Sequence, residues 1–101
     1  QLRDAGAMVL IGSNAGAPAQ FHSGATAGEI IAWVRECRVD PQAAIRAATL
    51  DAAFAMGAAA ESGSITPGKY ADVIAVYGDV LRQIERLTDL AVIIRHGRRY
   101  R

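Results

Sequence analysis

Gly63-Ser64-Ile65-Thr66-Pro67-Gly68-Lys69-Tyr70-Ala71-Asp72-Val73-Ile74 is the stretch where the chain turns from helical to extended patterning. Pro67 locks its own φ and Gly68 adopts positive φ without steric cost, so Thr66-Pro67-Gly68-Lys69 reads as a type II turn. Downstream, residues 71–77 predict a strand with Val73, Ala75 and Tyr77 on one face and Ile74 and Val76 on the other. Gly78-Asp79 ends it, residues 81–87 fit one or two helical turns, and residues 90–94 read as a second apolar strand. His96-Gly97 then makes a two-residue turn into residues 98–101, closing a small antiparallel sheet.

Upstream the period is helical. Thr26-Ala27-Gly28-Glu29 fits a capping box, in which hydroxyl and carboxylate each satisfy an orphan backbone N–H. Ile30, Val34 and Cys37, with Ile31 beside them, form an apolar stripe opposite Arg35, Glu36 and Arg38. Cys37 is therefore expected to be a small buried hydrophobe. Asp40-Pro41 opens a second helix with an acidic N-cap and proline at its first position, burying Ala44, Ile45 and Ala48 on one side. Thr49 offers a new cap, after which Leu50, Ala53 and Phe54 continue the apolar spacing until Gly57 stops it. At the start of the chain, Ala7-Met8-Val9-Leu10-Ile11 is a short unbroken apolar run closed by Gly12, the pattern of a strand buried on both faces. The loop of residues 12–25 follows; a loop of about 14 residues is uncommon unless it serves a site. Residues 57–63 mark the expected domain boundary.

Composition limits what this chain does. At 101 residues it falls well short of the roughly 250 that a complete (β/α)8 barrel needs. A formal charge of +1 gives no field for gathering phosphates or acidic membranes. One cysteine excludes an internal disulfide and a multi-cysteine zinc site. No apolar run approaches the roughly 20 residues of a membrane span. The first residue, Gln1, is followed by no cationic signal-peptide start, and the expected setting is reducing and cytoplasmic. Aromatics amount to 6% of the chain and alanine abounds, so the apolar faces bury little area per residue and are expected to pack against further elements.

Three blocks resemble the metal-dependent amidohydrolases, in particular the imidazolonepropionase and Xaa-Pro dipeptidase-like branch. Residues 7–16, ending Gly12-Ser13-Asn14-Ala15-Gly16, look like the eighth barrel strand, which in the family usually closes on G-[ST]-D. Asp40-Pro41-Gln42-Ala43-Ala44-Ile45-Arg46-Ala47-Ala48-Thr49, with Ala52-Ala53 and Gly57, is similar to the family's alanine-rich helices. The stretch from Gly63 to Ile74 resembles the family's lead-in to its small β-sandwich domain, and residues 92–98 fit its terminal hairpin. The third block is the most specific. The resemblance implies an α/β fold. Residues 1–60 would supply the last strand, site loop and helices of a (β/α)8 TIM-type barrel, and residues 61–101 part of a small C-terminal β-sandwich.

The same resemblance implies a C-terminal fragment of a hydrolase acting on amide or other C–N bonds through a metal-activated water, inactive as an isolated chain. It further implies a divalent metal, zinc foremost, in an intact relative and none for this chain alone. The partners implied are the remainder of the barrel or another copy of the chain, with a small amide or dipeptide-like substrate, and neither nucleic acid nor membrane. The competing class is a stand-alone α/β binding or assembly module descended from such a segment.

Asn14 stands where the family carries an Asp that ligates metal and shuttles protons. An amide moves no proton and ligates a cation more weakly, so this member is either catalytically impaired or runs a related chemistry that tolerates a neutral ligand. Asn14 is the catalytic-position candidate; its structural alternative is an Asn bonding its own loop backbone. His22, in Phe21-His22-Ser23-Gly24, is the substrate-binding candidate; its alternative is a surface imidazole. Glu29 reads as a cap, His96 as a structural turn residue, and Arg98, Arg99 and Arg101 as a solvated basic end. Ser13 and Ser23 have no triad pattern around them, and Gly12 to Gly16 lacks the lysine and spacing of a phosphate loop.

Overall fold

The computed structural model describes residues 25–101, with side chains from Ala27 onward. The expected strand at residues 7–11, the loop, Asn14, His22 and the Thr26 side chain lie outside the described residues. Three helices lead: α1 (Ala25–Arg35), α2 (Pro41–Ala48) and α3 (Leu50–Ala55). A three-stranded antiparallel sheet follows, of order β1 (Val73–Val76), β2 (Leu90–Arg95), β3 (Arg98–Arg99), with a 3₁₀ segment (Ile84–Thr88) between β1 and β2.

The helix starts and stops follow from side-chain chemistry. Asp40 accepts a hydrogen bond from the Ala43 backbone N–H at 3.2 Å, and Pro41 occupies the first helical turn where its missing N–H costs nothing. Thr49 sits at the N-cap of α3 as expected, but its hydroxyl donates backwards to the Ile45 carbonyl at 2.8 Å and caps nothing. α1 ends at Arg35. Glu36 and Cys37 N–H both reach the Ala32 carbonyl, and Arg38 adopts φ 55°, turning the chain so that Val39 N–H returns to the Trp33 carbonyl. Cys37 therefore lies in the exit turn and is exposed, not buried as its spacing suggested. The apolar stripe ran past the residue at which the helix stops. The same turning-away applies in α3, where Ala53 is buried and Phe54, the next residue round the helix, is exposed.

Small side chains dominate the core. Its buried members among the described residues are Ile30, Ala44, Ala47, Ala53 and Ile84. Ala44 is 0% exposed and Ile84 1%. Ile84 reaches from the 3₁₀ segment to pack with Ile30 and Ala44, while Trp33, Val34 and Leu87 close around them. Burying one isoleucine side chain is worth about 1.5–3 kcal/mol. Gly63 shows how close the turn after α3 comes: at φ 94°, a Cβ there would stand 2.7 Å from Ala53 Cβ and 3.1 Å from the Leu50 Cα.

β1 is shorter than the predicted 71–77 strand because Ala71 and Asp72 bond elsewhere, to the turn at residues 96–97. Pairing runs Val73↔Ile94, Ile74↔Ile93 and Ala75↔Val92, then slips to Val76↔Leu90 at a bulge. The slip breaks the expected alternation: Val73 and Val76 are half-buried, Ile74 and Ala75 exposed. At the hairpin, His96 and Gly97 take φ 49° and 78°, both positive as a type I′ turn demands.

Gly63→Ala is expected to destabilise the chain by about 2–4 kcal/mol, overpacking against Ala53 adding to the cost of left-handed backbone. Gly57→Ala, at φ 75° with open space around it, is expected to cost about 1 kcal/mol. Urea unfolding of the two variants side by side checks the difference.

Candidate functional site

The described polar groups converge at the turn that joins β2 to β3. The motif Lys69-Tyr70-Ala71-Asp72 runs alongside that turn. Asp72 Oδ1 accepts the His96 backbone N–H at 2.8 Å, and the Ala71 carbonyl accepts the Gly97 N–H at 3.0 Å. The Tyr70 ring stacks on the His96 imidazole with centroids 4.6 Å apart and planes 20° from parallel. These contacts hold His96 in a left-handed conformation, uncommon for residues other than glycine though less so for histidine than for most. On the preceding loop, Lys69 Nζ donates to Ser64 Oγ at 2.8 Å, and the Ser64 and Thr66 hydroxyls bond each other at 2.8 Å. Lys69 N–H closes the predicted turn onto the Thr66 carbonyl at 3.1 Å, and Gly68 has φ 94°.

Chemically this cluster is a staple. His96 Nε2 is 3.8 Å from Asp72 Oδ2, beyond hydrogen-bond reach, and the His96 side chain is 60% exposed. Ser64 is committed to Lys69 and Thr66. The structural reading of His96 fits the geometry. Glu29 lies half-buried on α1. Arg98 departs from a simply solvated tail: its guanidinium lies over the Tyr100 ring, 5.7 Å from the centroid.

A second polar feature joins elements 50 residues apart. Arg35 Nε and Nη2 donate to the two carboxylate oxygens of Glu85, each at 2.6 Å, tying α1 to the 3₁₀ segment. The paired hydrogen bonds from Arg35 hold the Glu85 carboxyl down, from its ordinary 4.5 to about 2. Local spacing gives no signal for a pair so distant in sequence. Asp72 was legible as part of its motif, but not as the acceptor that holds the hairpin turn.

Asn14 and His22 fall outside the described residues. Among the described residues, no group of three or more His, Cys, Asp or Glu converges to hold a metal ion. Asp72 and His96 are two groups, engaged with a turn, and residues 25–101 do not fit a divalent cation. Also among the described residues, no helix is long and apolar enough to cross a membrane.

Comparison with known proteins supplies what the cluster does not. The amidohydrolase family model matches residues 1–98. The chain belongs to the amidohydrolase family. No curated protein sequence matches it. Among solved structures, the chain is similar to a Bifidobacterium longum protein assigned as a prolidase, at 30% identity and a TM-score of 0.89, covering 98% of this chain and 24% of that one. It is similar to a Xaa-Pro dipeptidase with methionine bound in its active site, at 32% identity and a TM-score of 0.71, covering 80% of this chain and 20% of that one. It is also similar to molinate hydrolase, at 34% identity and a TM-score of 0.72, covering 77% of this chain and 17% of that one. The chain thus spans a quarter or less of each of these three structures. Members of this family generally use divalent metals.

Two outcomes are expected from this geometry. Asp72→Ala is expected to cost about 1 kcal/mol in urea unfolding and to speed amide exchange at His96, while Asp72→Asn, which keeps an acceptor oxygen, loses less. The Glu85 carboxyl has a lower pKa folded than unfolded, so its stabilising contribution is complete above pH 4.5 and fades as pH falls towards 2. Glu85→Gln is therefore expected to lower the urea midpoint at pH 7 and to lower it much less at pH 2.

Proposed function

We propose that the chain forms the C-terminal portion of a metal-dependent amidohydrolase that hydrolyses amide or dipeptide-like C–N bonds in the cytoplasm. In this reading residues 1–60 supply the last strand, site loop and helices of a (β/α)8 barrel, and residues 61–101 the returning strands of a small β-sandwich. The metal ligands belong to other strands of the barrel. The observation that carries the reading is the match to the Bifidobacterium longum prolidase-assigned structure, which takes in 98% of this chain against 24% of that one at a TM-score of 0.89. Exposed apolar side chains support it: Met56 is 81% and Ile65 87% exposed, surfaces suited to packing against further elements.

Asn14 takes the position of the family's Asp in this proposal, and His22 faces the substrate. With an amide in place of the carboxylate, proton transfer loses its carrier and the joined protein hydrolyses slowly.

The test replaces the matching segment of the Bifidobacterium longum protein with these 101 residues and assays Xaa-Pro dipeptides in the presence of a divalent metal. The chimera is expected to fold and to hydrolyse weakly, with Asn14→Asp raising the rate about 100-fold. A folded chimera whose rate is indifferent to Asn14→Asp overturns the assignment of that position. A chimera that cannot fold, beside a free 101-residue chain that melts cooperatively as a monomer, favours the stand-alone module.

A further inference from the structure

The connection from β1 to β2 is built more rigidly than a link between two strands requires. Tyr77 N–H donates to the Asp89 carbonyl at 3.0 Å, closing its base. Asp79 Oδ1 accepts the Leu81 N–H at 3.0 Å, and the Asp79 carbonyl accepts the Arg82 and Gln83 N–H groups. The Arg86 stem lies on Gly78, where an added Cβ would stand 2.9 Å from Arg86 Nε and 3.0 Å from its Cδ. The guanidinium of Arg86 reaches Asp89 at 3.4 Å. A connection braced at both ends transmits position.

From this brace two adjacent residues reach the helices. Ile84 is 1% exposed, inserted against Ile30 of α1 and Ala44 of α2. Glu85 takes both donors of the Arg35 fork. The two contacts constrain different motions: a buried side chain sets how deeply α1 seats, and a bidentate pair sets its rotation and axial register. An exposed ion pair alone contributes little, but here it adjoins an apolar anchor one residue away. In the chain, α1 also directly follows residues 12–24, which include Asn14 and His22.

We propose that Ile84 and Glu85 are positioning residues, a two-point latch by which the sheet segment fixes α1, the helix that residues 12–24 precede in the chain. That this segment serves a site rests on the hydrolase reading above; the latch itself does not.

The test uses the full chain first. Glu85→Arg sets like charges against each other at the fork and leaves Ile84 in place. It is expected to speed amide exchange of residues 30–35 about fivefold, leaving β1 and β2 unchanged, and Arg35→Glu combined with Glu85→Arg is expected to restore the original rate. Ile84→Val is expected to act in the same direction without unfolding the chain. Exchange in α1 that ignores Glu85→Arg, or that the reversed pair does not restore, overturns the latch. In the chimera carrying Asn14→Asp, Glu85→Arg is expected to lower kcat about threefold with KM for the dipeptide unchanged, and the reversed pair to recover it. An unchanged kcat overturns the positioning role in the reaction. A chimera without hydrolysis, alongside intact coupling in the free chain, overturns the hydrolase reading and leaves the latch standing.

Discussion

The described structure depends on one insertion: Ile84, carried by the connection between two strands, seated against Ala44 on α2 and Ile30 on α1. The insertion is possible because alanine occupies position 44. A methyl group with 0% exposure keeps the α2 surface flush and lets the 3₁₀ segment approach. A larger residue there would push the two apart. This close approach also limits the core. Alanines at 44, 47 and 53 bury little area each, and the larger apolar residues, among them Phe54, Ile74, Tyr77 and Leu81, stay at the surface.

The most family-like stretch is explained by structure. Lys69 braces the loop through Ser64, Gly68 supplies the positive φ of the turn, Ala71 and Asp72 take the two N–H groups of the hairpin turn, and Tyr70 covers His96. Asp72 is spent on the His96 backbone N–H, Lys69 on the Ser64 hydroxyl, and the His96 imidazole stacks on Tyr70. That is why this stretch forms no centre of its own, and why family membership and catalytic competence are separate questions for this chain.

Local chemistry was legible in the sequence where one side chain determines one backbone feature. Asp40-Pro41 starts a helix, Pro67-Gly68 makes a turn, and His96-Gly97 makes a hairpin, each as expected. What escaped were features set by competition between distant groups. Cys37 matched the helical period, yet the chain left the helix at Arg35 to bring Val39 back beneath Trp33. The alternation of residues 71–77 held until a bulge at Ala75/Val76 shifted the register. The bond from Arg35 to Glu85 spans 50 residues and leaves no periodic trace. Of the candidate site, the turn histidine was read correctly as structural, its carboxylate partner was not assigned a role, and Asn14 and His22 lie outside the described residues.

The division of labour in the family fold follows from these contacts. Helix α1 carries Ile30, Ile31, Trp33 and Val34 on buried or half-buried positions and Arg35 at its exposed end, so it takes both an apolar and a charged contact to hold it. The sheet segment meets that need with one isoleucine and one carboxylate on a braced connection. Backbone order in the sheet thereby becomes positional order in the helix. The sheet segment thus bears on α1 through geometry, by one buried side chain and one ion pair.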